Sequence, residues 1–129
     1  MADVASFPVQ NRQLARSIDG VHTDVLVSAF ADRILVVATQ YRKIGSLFSS
    51  TPSTVPTTTH FLLGSSTTTQ SGGHLLYASH ISQTIAAMNP SEKRPVLLGI
   101  ALKDLGDDNL ARKRVFEQLM EMIKECRVW

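Results

Sequence analysis

An unbroken apolar run, Ile34, Leu35, Val36, Val37 and Ala38, lies at the head of residues 33–50 (RILVVATQYRKIGSLFSS) and constrains this chain more than any other stretch. A strand with one wet face alternates apolar and polar residues. A short β-branched run without alternation reads instead as a strand buried on both faces. Any fold the chain adopts must therefore cover this strand twice. Tyr41 and Arg42 interrupt the run, and Ile44, Gly45, Leu47 and Phe48 resume it, which reads as a hairpin.

The segments on either side give the rest of the fold. Asp19-Gly20 separates two β-like segments, 13–18 and 21–30, and favours a type I′ turn, because glycine accepts positive φ without steric cost. A second tight turn, Ala31-Asp32, lies between Phe30 and Arg33, so residues 13 to about 49 read as a four-stranded meander. Residues 1–11 read as a flexible arm before a single domain over 12–129. Pro52 and Pro56 cannot donate to a ladder, which makes 50–59 a loop. A fifth strand follows at Thr59–Leu63, and the Ser/Thr/Gly-rich stretch 64–73 is expected to be the most mobile internal segment. Tyr77, Ala78, Ile81, Ile85 and Met88 then recur at helical spacing, until Asn89-Pro90 stops the helix. Residues 95–103 return to strand, with Val96, Leu98, Ile100 and Leu102 on one face and Leu97, Gly99 and Ala101 on the other. This strand either lies parallel beside Thr59–Leu63 through a right-handed crossover or joins the other side of a wholly antiparallel sheet. Asp107-Asp108-Asn109 supplies an N-cap for a last helix, whose stripe is Val115, Phe116, Leu119, Met122, Ile123 and Cys126. The expected architecture is α+β: a mostly antiparallel six-stranded sheet with two helices on one face and the other face used for dimerisation.

With 129 residues, 43% of them apolar, the chain can build one core, and a net charge of +2 without a basic stripe argues against nucleic acid or an anionic membrane as partner. Cys126 is the sole cysteine, which excludes an internal disulfide and suits a reducing compartment. No apolar run approaches the roughly 18 residues of a membrane span, and no basic-then-apolar leader opens the sequence, so the chain reads as soluble and intracellular. His74 and His80 are six apart, which misses the helical spacing of a metal pair, and His22 and His60 read as surface or loop residues. Gly72-Gly73-His74 could present backbone N–H groups to a phosphate, but no complete phosphate-loop motif accompanies it. A flexible loop ending at a helix start accounts for the pair of glycines more simply. No serine sits in a G-x-S-x-G elbow, and Cys126 lies on an apolar stripe where a packed thiol is expected. Asp107 and Asp108 read as capping residues rather than metal ligands. With no catalytic, cofactor or metal set, the residues describe a binding module. A small phosphate- or ligand-binding domain and a generic longin- or profilin-like adaptor are the alternatives.

Residues 33–47 resemble the proteasome assembly chaperone 3 family, in which an I-L-V-x-x-T-Q-[FY]-x-K-[MI]-G run follows an A-F pair. Here Ala29-Phe30, Ile34-Leu35-Val36, Thr39-Gln40-Tyr41, Lys43, Ile44 and Gly45 stand at those places. Leu62-Leu63-Gly64, Val96-Leu97-Leu98, Lys103-Asp104 and the closing Cys126-Arg127-Val128-Trp129 are similar to further family motifs in the same order. The resemblance implies a chaperone of proteasome core-particle assembly that is not an enzyme and needs no cofactor. It further implies a heterodimer with a related small chaperone, proteasome assembly chaperone 4, which engages a proteasome α-type subunit and promotes α-ring formation. A cytoplasmic location follows, with the nucleus as an additional compartment. The Ser/Thr-rich loops depart from the family, so no contact residues carry over to them.

Turn geometry divides the meander into two faces, because residues opposite one another across a two-residue hairpin share a face. Leu14, Ile18, Val25, Val27, Ala29, Ile34, Val36, Ala38 and Leu47 form the purely apolar set, expected under the helices. Leu26, Ser28, Phe30, Leu35, Val37, Thr39, Ile44, Ser46 and Phe48 form the other, apolar but threaded with hydroxyls, as an interface core can be. This second set is expected to bind the companion chaperone, or a second copy when the chain is alone, burying on the order of 1,600 Å². Val128 and Trp129 are expected to pack back onto the domain.

Overall fold

The computed structural model describes residues 10–40, 46–50, 59–63, 69–103 and 105–129. Along the chain these form β1 (Gln10–Ile18), β2 (Val21–Ala29), β3 (Ile34–Thr39), β4 (Ser46–Ser50), β5 (Thr59–Leu63), α1 (Thr69–Met88), β6 (Val96–Ala101) and α2 (Asn109–Glu125). The fold is α+β. One mixed sheet has the order β1-β2-β3-β6-β4-β5, and all its pairings are antiparallel except β3 with β6.

Two of the expected turns hold. Asp19 and Gly20 have φ of 50° and 80°, the doubly positive pair of a type I′ turn, and they set Leu14 opposite Val25. Phe30 donates its N–H to the Arg33 carbonyl at 2.9 Å, closing the second turn and setting Val27 opposite Val36.

The third turn does not form the expected hairpin. β3 and β4 are not neighbours, because β6 lies between them, parallel to β3 and antiparallel to β4. Neither anticipated place for residues 95–103 is the real one. The reason is partly reach: a jump across two strand spacings is only about 10 Å, which the connection after Gln40 spans as easily as it would close a tight turn. It is also burial. Val96, Leu98 and Ile100 are each at most 1% exposed, as residues with a strand on either side and helices above them are. Tyr41, Arg42, Ile44 and Gly45 themselves lie outside the described residues.

Two boundaries also move. β1 begins at Gln10, so Gln10 and Asn11 belong to the sheet rather than to an arm, and Asn11 pairs with Ser28. α1 begins at Thr69, so Thr69–Gly73 extends a helix where a loop was expected. Its nucleus is the buried stripe Tyr77, Ala78, Ile81 and Ile85, and adding residues to an existing helix is far easier than starting one. Of the expected mobile segment, residues 64–68 lie outside the described residues. α1 ends as expected: Asn89 donates to the Ile85 carbonyl at 2.8 Å, and its side chain accepts from the Ser91 N–H at 3.1 Å.

Both helices pack on one face of the sheet. The core there joins Val25, Val27, Ile34, Val36, Phe48, Leu98 and Ile100 to Ile81 and Ile85 of α1 and to Leu119, Met122 and Ile123 of α2. Buried Ser50 and Ser82 hydrogen-bond through their hydroxyls and seat α1 on β4. α2 starts where Asp108 accepts from the Ala111 N–H at 3.0 Å. Phe116 reaches from α2 to Tyr77 and His80 of α1, with ring centroids 4.9 Å apart in each case. Burial of Tyr77 raises its phenol pKa, with Arg112 opposing. Burial likewise raises that of the Cys126 thiol, helped by Glu125 and opposed by Arg12. Both groups are therefore neutral packing residues at pH 7.

Val128 and Trp129 pack against the core, as expected. The Trp129 indole Nε1 is buried without an acceptor among the described residues, which partly offsets what the ring gains by packing. Trp129→Ala should lower the melting temperature by roughly 5–10 °C through lost burial. Trp129→Phe, which keeps most of the ring and removes the unpaired donor, should cost less than half of that in the same scan.

Near the start of β6, Glu92 is 8% exposed and receives Arg94 through Nη2 at 2.7 Å, Nε at 2.9 Å and its backbone N–H at 2.9 Å. Arg94 also donates to the Phe30 carbonyl at 2.9 Å, tying β6 to the β2–β3 turn. The hydrogen bond from Arg94 holds the Glu92 carboxyl below its ordinary pKa of 4.5, against the opposing effect of burial. The stabilisation is therefore complete above that ordinary value and is lost as pH falls through the depressed folded value. Glu92→Gln should cost about 1.5–3 kcal/mol at pH 7. Urea titrations should show this difference shrinking below about pH 4, and a difference independent of pH would contradict the assignment.

Candidate functional site: the open face of the sheet

The register of the sheet lays out the face opposite the helices as cross-strand rows. The middle row is Gln13, Leu26, Val37, Gly99 and Leu47. Below it run Asn11, Ser28, Leu35, Leu97 and Ser49, and above it Ala15, Asp24, Thr39 and Ala101. Leu26, Leu35, Val37, Leu97 and Leu47 are half-buried. Both helices lie on the other side. Ser28 is 3% and Thr39 6% exposed, and the Ser28 hydroxyl donates to Asn11 on β1. Small residues at Gly99 and Ala101, between larger ones at Val37, Leu97 and Leu47, give a shallow relief that a second sheet can approach closely.

Of the residues expected on this face, Leu26, Ser28, Leu35, Val37 and Thr39 stand together on it. Phe30 follows β2 and is half-buried. Ile44 lies outside the described residues. Ser46 is opposite Ile100 in the register. Phe48 is a correction: it is 0% exposed, opposite Leu98, on the helix-covered face, and Leu47 takes its place on the open one. The insertion of β6 causes the exchange. A direct β3–β4 hairpin would set Phe48 opposite Leu35, whereas the observed register runs Val36–Leu98–Phe48, and a shift of one residue moves every side chain to the opposite face. Leu97, Gly99 and Ala101 join the face only once β6 has its place in the sheet. The sequence signal that marks them is their own apolar alternation.

The Thr39-Gln40 pair divides its work between the faces. Thr39 faces outward, and Gln40 turns toward the helices. There its side chain donates to the Thr23 hydroxyl at 3.1 Å and accepts from the Lys103 N–H at 2.7 Å, while its own N–H donates to the Ala101 carbonyl at 2.8 Å. Gln40 thereby joins β2, β3 and the exit of β6. Nearby, Arg114 meets Asp19 at 3.2 Å across a cleft of about 190 Å³ also lined by Gln40 and Lys103.

Gly72, Gly73 and His74 lie within α1, beyond its start at Thr69, so they do not form the loop-to-helix junction that a phosphate site there would need. Among the described residues no three His, Cys, Asp or Glu side chains converge, and no helix is long and apolar enough to cross a membrane. The chemistry this face offers is contact: an apolar centre with buried hydroxyls.

Comparison with known proteins assigns the family. The model of the family described as proteasome assembly chaperone 3 matches residues 36–126. Human proteasome assembly chaperone 3 is 32% identical, over 94% of this chain and 95% of its own length, and the mouse protein matches equally. The namesake from Nematostella vectensis is 60% identical over 40 residues, 31% of this chain and 30% of its own. A chain from the crystal structure of a novel chaperone complex for yeast 20S proteasome assembly shares the fold, with a TM-score of 0.59, 10% identity and coverage of 88% of this chain and 98% of that one. A continuous match over both this chain and its relatives, on a sheet open on one side, places the chain in the proteasome assembly chaperone 3 family.

Proposed function

We propose that this protein chaperones assembly of the proteasome core particle by pairing its open sheet face with a related small chaperone, the family's companion proteasome assembly chaperone 4. The pair binds an α-type subunit and promotes α-ring formation. It works by protein contact and not by catalysis, in the cytoplasm and the nucleus. The observation that supports this best is the open face itself. Leu26, Leu35, Val37, Leu97 and Leu47 form a contiguous apolar field across four adjacent strands, with neither α1 nor α2 over it. Full burial of each such side chain is worth roughly 1.5–3 kcal/mol, which favours a covered state over a wet one. Affinity purification from cells, with the captured species resolved by size, tests the reading. Companion chaperone and free α-type subunits should co-purify, without mature particles. Recovery of neither, or of mature particles alone, would overturn it.

A further inference from the structure

The open face is almost free of charge. In its three rows the only residue with a formal charge is Asp24, opposite Ala15 on β1 and Thr39 on β3. Asp24 lies in the last row of the face, where β3 ends at Thr39 and β6 at Ala101; Leu26 follows it toward the centre on the same face, and the Asp24 side chain is 36% exposed. Among the described residues its contact is His22, whose Nε2 is 3.1 Å from Asp24 Oδ1 and whose side chain is 55% exposed. The cationic side chains of β1, Arg12 and Arg16, have the opposite parity, and Arg16 is paired with Glu125 of α2 at 2.9 Å.

A carboxylate brought under an apolar sheet loses its water and destabilises the complex unless a cation or hydrogen-bond donors replace it. The same carboxylate set against a fixed cation selects the partner that carries one. We propose that Asp24 is a specificity-determining residue of this face: the occupant is a sheet that is apolar at its centre and presents a lysine or arginine side chain to Asp24. Among the described residues the three rows of this face hold no lysine or arginine, which makes a second copy of this chain the poorer occupant. The inference rests on the proposed pairing through this face and adds the chemistry of the chosen partner.

The test measures dissociation constants by light scattering and sedimentation, for the chain with itself and with the co-purified companion chaperone. Asp24→Asn, Asp24→Lys, His22→Gln and Leu35→Asp are compared, and circular dichroism confirms folding. Asp24→Lys should weaken pairing with the companion by about tenfold or more, and Asp24→Asn by less, with a flatter dependence on salt. His22→Gln should change little. If Leu35→Asp abolishes pairing while both Asp24 variants bind as wild type, the face is the interface and the role of Asp24 is overturned. If Leu35→Asp pairs normally, the face reading fails and the proposal falls with it.

Discussion

Phe48→Ala should destabilise the fold by about 3–5 kcal/mol, the range for truncating a fully buried phenylalanine. Phe48 has no exposed surface and sits opposite Leu98 in the layer between sheet and helices. Truncation removes its contacts from the most enclosed part of the core, and backbone tied into β4's pairings with β5 and β6 cannot collapse into the gap. The loss should appear in urea unfolding as a lower midpoint. Any loss of pairing in this variant should follow from loss of fold. A folded Phe48→Ala chain with near wild-type stability would place the residue on the outer face after all.

Leu35→Asp should do the converse. Leu35 is half-buried, between Ser28 and Leu97 on the open face. In the unpaired chain the new carboxylate can reach water, so the cost to folding should be modest, on the order of 1 kcal/mol. Under a partner sheet the same carboxylate would be stranded without a cation, and a buried unpaired charge costs several kcal/mol. Light scattering should therefore show a folded monomer at concentrations where the wild type is paired, with the circular dichroism spectrum unchanged. Tight pairing by Leu35→Asp would exclude this face as the interface.

These two residues also show how far the sequence can be read. The buried-both-sides character of Ile34 to Ala38 is legible because a strand with a wet face rarely carries an unbroken β-branched run. Asp19-Gly20 is legible because its backbone conformation is nearly dictated by the residue types. The Ala31-Asp32 turn, which sets Val27 opposite Val36, then places Leu26, Ser28, Leu35, Val37 and Thr39 on one face. Phe48 escapes because its side depends on which strand lies next to β4, a tertiary fact with no local signature. A hairpin and a gap into which a later strand inserts leave the same mark on residues 40–46. The start of α1 escapes for a similar reason. Gly72 and Gly73 argue against helix locally, and the packed stripe from Tyr77 to Ile85 overrides them. The Gln40 clamp is visible in the sequence only as a motif letter, since its partners Thr23 and Lys103 are distant along the chain.

The central claim is that the sheet's open face is the pairing surface. Methyl-labelled NMR on the paired protein tests it most directly. Intermolecular contacts and the largest shift changes should fall on Leu26, Leu35, Val37, Leu47 and Leu97, while Val36, Leu98, Leu119 and Ile123 keep the environment of the unpaired chain. Intermolecular contacts concentrated on α1 and α2, with the open-face methyls unchanged, would contradict it.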